Sequence, residues 1–454
     1  MLYYNKKVIF LLIFFSILFL GCADKKISDM NARESAQWVK DAVIYEVYLR
    51  SFSKEGTFKA LEARVPELKK LGITIISLMP IHPIGELNRR GRLGSPYAVK
   101  DFYSVNHEFG TVDDFKSLVN TIHKNDLKIM ITLVANQAAW DSQLLMEHPD
   151  WFVHNEEDAI VSPHPDLIDV AKLDYNQHEL RKYIIAMMKY WIREIGIDGF
   201  MCSKSELIPT DFWEIARKEL DKIKQVIMIS ESNLPEYHLK AFDLTYSWTL
   251  HEALSNILNE TATVDLLNDS LQTEQSQFPK GSLHLLFYTS HNNNEKPPAD
   301  ESFSSDRIKT TAVLSFTLPV VPLIYNGEEA GNNRMPNLFN KVDIDWSKEL
   351  EFSELYRRLA LLRQNHPALR YGSYNNVRNS DSTKVFSFIR SFETDSVLVV
   401  INFAKEKKKV SFQMAAGSSI VWKDQFSGNS FQAKDSQLDI ALLQMEYLAL
   451  IPIK

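Results

Sequence analysis

The sequence predicts a (β/α)₈ TIM barrel with a short insertion after its third strand, followed by a C-terminal antiparallel β domain. Three observations predict it. Over residues 37–372, apolar runs of strand length alternate with stretches that carry apolar residues at helical spacing, which calls for a parallel sheet with helical crossovers. Eight such units over about 310 residues fit a closed barrel better than an open sheet. After Gly372 the chain changes to short alternating runs separated by NSDS, AAGSS and FSGNS, the pattern of an antiparallel sheet.

The elements follow in order. Val43–Tyr48 is β-branched and aromatic and predicts a first strand. Leu61, Val65, Leu68 and Leu71 recur at helical spacing before Gly72, a helix stop. Ile73–Met79 and Ile129–Val134 read as strands buried on both faces. Thr111-Val112-Asp113-Asp114 is a capping-box start ahead of Phe115, Leu118, Val119 and Ile122. Residues 179–195 read as one amphipathic helix, and Gly199–Cys202, Val226–Ser230, Leu283–Tyr288 and Val320–Ile324 as further strands. Val385–Ile389, Val397–Ile401 and Tyr447–Ile451 are the clearest strands of the second domain, a β-sandwich over residues 373–454.

Composition narrows the class. With 45% apolar and 24% charged residues, 15 Gly and 17 Pro in 454, the chain is neither disordered nor collagen-like nor a coiled coil. A net charge of −7 argues against a nucleic-acid partner, which would require a basic surface.

Lys6 and Lys7 precede Val8–Leu20, an apolar run interrupted only by Ser16. It is short for a membrane span of about 20 residues and fits a signal-peptide core. The run ends at Phe19-Leu20-Gly21-Cys22, which resembles a bacterial lipoprotein signal with Phe19 where Leu is usual. The resemblance implies removal of residues 1–21, lipidation of Cys22 and anchoring to a membrane of the cell envelope; the other reading of the segment is an uncleaved anchor with an idle Cys22. Residues 22–36 then read as a polar tether. The other cysteine is Cys202, and with Cys22 lipidated no disulfide can form.

Several segments together carry a second resemblance: AVIYEVYLRSF, LGITIISLMPIHPIG, LGSPYAVKDFYSVN, HPDW, GIDGF, PLIYNGEEAG and LYRRLALLRQNHPAL. They resemble the α-amylase family of glycoside hydrolases, over about residues 38–370 and into the β domain. The resemblance implies a retaining mechanism, in which one carboxylate attacks and another donates a proton across a gap of ~5–5.5 Å. It also implies an Arg beside the nucleophile, a third carboxylate and two His on the sugar.

This sequence departs from that set. The family's Asp-x-x-x-Asn-His is Thr132 to Gln137, which keeps Asn136 and replaces the Asp by Thr132 and the His by Gln137. Gly-Phe-Arg-x-Asp is Gly199-Phe200-Met201-Cys202-Ser203, so Met201 replaces the Arg and Ser203 the nucleophile. The general acid is kept as Glu231. Asn-His-Asp is Ser290-His291-Asn292, keeping His291 and losing the acid at Asn292. Lys172 stands in VAKLD where the family has Asp.

A hydroxyl such as Ser203 needs an adjacent base to act as a nucleophile, and no His lies near it in sequence. The expectation is an amylase-like lipoprotein that binds α-glucan or acts as a scaffold, a pseudoenzyme. The alternative is an α-glycoside hydrolase or transglycosylase that uses Glu231 as acid in an altered mechanism. A third reading is an interaction role without sugar. Glu231 can equally be a relic acid, an ion-pair partner or a sugar ligand, and Glu206 a rescue carboxylate or a solvated surface group. Tyr97 matches the family's sugar-stacking aromatic, with packing as the other role. Trp140 either faces the cleft or is buried. Asn136 can ligate calcium in some relatives, but the thinned acidic groups around it do not support a metal here, and no cofactor is expected.

Overall fold

The computed structural model describes residues 25–290, 305–332, 337–414 and 419–453. Eight parallel strands close into a barrel: β1 (Ile44–Val47), β2 (Ile75–Leu78), β3 (Lys128–Leu133), β4 (Gly199–Cys202), β5 (Ile227–Ser230), β6 (Leu244–Tyr246), β7 (Leu283–Leu286) and β8 (Val321–Tyr325). β8 pairs with β1 to close the ring, Ile44 opposite Leu323. The sequence analysis identifies seven of these strands. β6 escaped it because three residues in Phe242–Ser247 leave too short a run to read.

Alternation along each strand builds two cores. Ile44, Ile75, Met130, Met201, Ile227, Ile229, Leu244 and Leu285 fill the barrel interior, while Tyr45, Ile76, Ile131, Cys202 and Met228 face the surrounding helices. That inside-out pattern is why the strands read as unbroken apolar runs.

The helices begin and end where local chemistry requires. α1 (Phe58–Leu71) starts on the Thr57 hydroxyl, which accepts from the Ala60 N–H, and stops at Gly72, whose φ of 95° suits glycine. α2 (Val112–Lys124) carries the capping box between Thr111 and Asp114 that its sequence announces. α3 (His178–Tyr190) gives way to a π-helical turn, Trp191–Ile195, where one continuous helix was expected. The buried Trp191 indole donates to the Phe102 carbonyl at 2.9 Å there.

Between β3 and β4 lies an antiparallel ribbon, Gln137–Ala139 with Val170–Lys172. After the barrel, Ser373–Asn376 begins a six-stranded antiparallel sheet, and a two-stranded ribbon, Lys408–Gln413 with Gln437–Leu442, packs on it around Val400, Phe412, Trp422 and Leu438. Residues 30–36, read as part of a tether, are docked on the barrel instead. Ala32 N–H donates to Lys280 O at 2.9 Å, Ser35 Oγ to Asp243 at 2.8 Å, and the Arg33 guanidinium pairs with Asp243.

Candidate active site

The carboxyl ends of β3, β4 and β5 place the central residues. β4 and β5 run close because Gly199 has no side chain: a Cβ there would lie 1.9 Å from the Ile227 carbonyl oxygen. Ser203 follows β4 directly, its N–H donating to Leu133 O at 3.1 Å, and Glu231 follows β5, its N–H donating to Cys202 O at 3.2 Å. The two side chains meet. Ser203 Oγ donates to Glu231 Oε2 at 2.8 Å, and the Lys204 N–H reaches the same oxygen at 3.0 Å. Lys204 adopts a φ of 47°, uncommon outside glycine, as the chain turns from β4 into Ser205–Leu207. The Trp248 indole donates to the Glu231 backbone oxygen at 2.7 Å. Both Ser203 and Glu231 are buried.

Below them, Met201 is fully buried in the apolar barrel interior. Its neighbour in register on β3 is Thr132, whose buried hydroxyl has no hydrogen-bond partner among the described residues. Burial first, and then the charges of Glu231 and Glu46, raise the Tyr97 and Tyr246 hydroxyls well above the usual tyrosine range. Those two carboxylates and two phenols therefore share one electrostatic neighbourhood. Tyr97 packs against Tyr48, Met79, Tyr325 and Leu338.

A cleft of about 130 Å³, open to solvent, lies over this floor. Tyr97, Asn136, Gln137, Ser203 and Glu231, all named from sequence, line it. Asn136 Nδ2 donates to Gln137 Oε1 at 3.1 Å and Gln137 Nε2 to Tyr97 O at 3.1 Å. Trp140 does not line it; its indole is bonded to Ile168 O at 2.9 Å and its ring packs against the main core. Glu206 is exposed on the turn Ser205–Leu207, also away from the cleft lining. Cys202 is buried among the helices, and burial pushes its thiol well up, away from reactivity. Cys22, His291 and Asn292 lie outside the described residues.

The cleft also contains residues that the sequence did not announce: Asp169, Arg90, Ser95 and Lys204. Asp169 ends the turn just before the ribbon strand Val170–Lys172, and its place at the cleft depends on the ribbon folding back. Calcium requires six to eight oxygen ligands, several of them carboxylates. Asn136 has Gln137 beside it, which pairs in register with Lys172. Among the described residues no three His, Cys, Asp or Glu side chains gather closely enough to hold a metal.

Comparison with known proteins agrees with this architecture. The family described as Alpha amylase, catalytic domain, matches residues 28–157 and 146–349, and Maltogenic Amylase, C-terminal domain, matches residues 375–448. The solved noncanonic maltogenic alpha-amylase AmyB of Thermotoga neapolitana is 31% identical, with a TM-score of 0.85 over 92% of this chain and all of that one. An alpha-amylase of Lactobacillus plantarum is 28% identical, with a TM-score of 0.82 over 92% of this chain and all of its own. The alpha-amylase MalA of Haloarcula japonica is 23% identical over 87% of this chain, and the chain spans 60% of that protein's length. With its barrel, its carboxyl-end cleft and its C-terminal sheet domain, the chain belongs to the α-amylase family.

Proposed function

We propose that the cleft binds α-glucan oligosaccharides and does not hydrolyse them by the two-carboxylate route. The observation that carries this reading is the 2.8 Å contact between Ser203 Oγ and Glu231 Oε2. The residue that follows β4 and faces the retained acid is a neutral hydroxyl. It offers no negative charge to an oxocarbenium-like transition state, and electrostatic stabilisation of that kind is usually the largest catalytic contribution. Its proton is directed to Glu231, and a carboxylate is a weak base for an alcohol. Tyr97, Asn136, Gln137 and Glu231 line the cleft, and stacking and hydrogen bonding to sugar hydroxyls need no second carboxylate.

A second reading has one observation in its favour. Asp169 is a buried carboxylate in the same cleft as Glu231. In that reading it substitutes for the missing partner, and the chain is an active glycosidase or transglycosylase like the relatives named above.

Calorimetric titration with maltotriose and maltoheptaose, run beside a reducing-end assay, separates the readings. Binding without turnover that is lost in Tyr97→Ala supports the first. Turnover abolished by both Glu231→Gln and Asp169→Asn supports the second. No binding of either sugar leaves an interaction role. We further propose that Cys22 carries a lipid that holds the chain at a membrane of the bacterial cell envelope. Mass spectrometry of the mature N-terminus tests this, and a free Cys22 or an intact leader would refute it.

A further inference from the structure

The chain enters the barrel from the face opposite the cleft. Ala36, Val39 and Ala42 pack in the interior cluster with Ile44, Ile75 and Ile227, the first residues of β1, β2 and β5, so this short segment closes the base of the barrel. Just before it, Met30 O accepts the Lys280 N–H at 2.8 Å, and the Arg33 N–H donates to His238 O at 2.8 Å. Arg33 and Arg217 together hold Asp243, immediately ahead of β6. Lys25 follows Cys22 by three residues, a span of at most about 10 Å when fully extended.

The same face carries free cations, although the chain as a whole has a charge of −7. The barrel helices run back against the strands, so their last turns collect there. Lys69 and Lys70 lie in the last turn of α1 and Lys124 ends α2, where the helix dipole favours cations. Together with Lys26 and Lys280 they are exposed, and among the described residues none of the five makes an ion pair. Several acids of this face are already matched: Asp198 by His123, Lys128 and Lys224, and Asp221 by Arg33 and Arg217. Asp29, Glu34 and Asp126 are exposed. Trp38 is half-buried against the base, with the Lys128 ammonium 5.7 Å from its ring centroid. An indole, apolar in body and polar at one edge, suits the boundary between water and lipid.

We propose that this face of the barrel docks on an anionic lipid surface, through the exposed lysines and Trp38. The cleft then opens away from the lipid, where a long glucan chain reaches it without meeting the membrane. The proposal rests on the membrane-anchoring reading and adds an orientation to it. A lipid on Cys22 and an uncleaved apolar run would both deliver the chain to the same face.

Hydrogen exchange of the full chain, followed by mass spectrometry on phosphatidylglycerol-containing vesicles and in detergent, tests it. Exchange over residues 25–34, 124–128 and 278–282 is expected to slow on the vesicles, and exchange over 86–93, on the cleft side, to stay the same. Pure phosphatidylcholine and high salt reduce the slowing. Each lysine near an anionic surface shifts docking about fivefold. Lys124→Gln combined with Lys280→Gln therefore removes most of the slowing, while the chain still floats with the vesicles. Equal slowing on both faces, slowing on the cleft side alone, or none in a chain that floats overturns the orientation and leaves the anchor standing. Slowing that survives both high salt and the double variant overturns the part assigned to the lysines. A chain that does not float with vesicles overturns orientation and anchor together.

Discussion

Thr132 on β3 and Met201 on β4 are partners in register, so the two positions where the family resemblance places an aspartate and an arginine stand side by side in the barrel wall. Both charges are gone together. The surroundings are apolar, with Met130, Ile227 and Ile229 in the same cluster as Met201. An arginine there would be a buried charge without the carboxylates that the resemblance places at 132 and 203, so loss of those neighbours makes loss of the Arg physically favourable.

Restoring one half of that arrangement is therefore expected to destabilise the fold. Met201→Arg alone should cost about 3–5 kcal/mol, the usual penalty for an unpaired buried charge. Adding Ser203→Asp should recover part of it. Urea unfolding of the single and double variants measures both steps, and additive losses would contradict the coupling.

Ser203→Ala removes the hydroxyl donor from Glu231 and leaves the Lys204 N–H in place. A lost hydrogen bond to a charged, buried acceptor is worth about 1.5–3 kcal/mol. Chemical denaturation should register that loss, while Ser203→Thr should retain most of the stability.

Gly199 is expected to tolerate no side chain. A Cβ would lie 1.9 Å from Ile227 O and 2.5 Å from Ile227 Cγ2, and both atoms belong to a strand that cannot retreat without opening the barrel. Gly199→Ala should cost about 3 kcal/mol, at the upper end for overpacking, and lower both melting temperature and soluble yield.

Three buried glutamates make stability depend on pH. Burial raises Glu274, Glu328 and Glu329 to about 7 each, against hydrogen bonds from Ser247, from Thr289 and Tyr356, and from Tyr45 respectively. Between the unfolded value near 4.5 and the folded value near 7, the native state binds more protons than the unfolded chain. Their contribution is thus fully present below about 4.5 and is lost as pH rises towards 7, on the order of 3 kcal/mol per carboxyl. Unfolding free energy should fall over that window and flatten in Glu274→Gln. A contribution from this carboxyl that rises with pH would contradict the assignment.

The fold was legible where the chain states its physics locally. The capping box at Thr111, the left-handed stop at Gly72 and the long apolar strands all depend on neighbours a few residues away. β6 was hidden by its brevity. The docking of Arg33 and Ser35 on Asp243 spans about half the chain, and no local pattern encodes it. The site divides in the same way. Ser203 and Glu231 were readable because the family resemblance carries over onto short motifs that each follow a strand end directly. Arg90, Asp169 and Lys204 were not, because turns and a returning ribbon bring the first two to the cleft, and a left-handed backbone sets the third. Trp140, read as a possible cleft residue, is held by Ile168 instead.

The most direct test of the central claim is the release of reducing ends from maltoheptaose by the purified full chain. The account predicts binding with no release above the uncatalysed background. Turnover within the range of about 1–10³ s⁻¹ common to enzymes would contradict it.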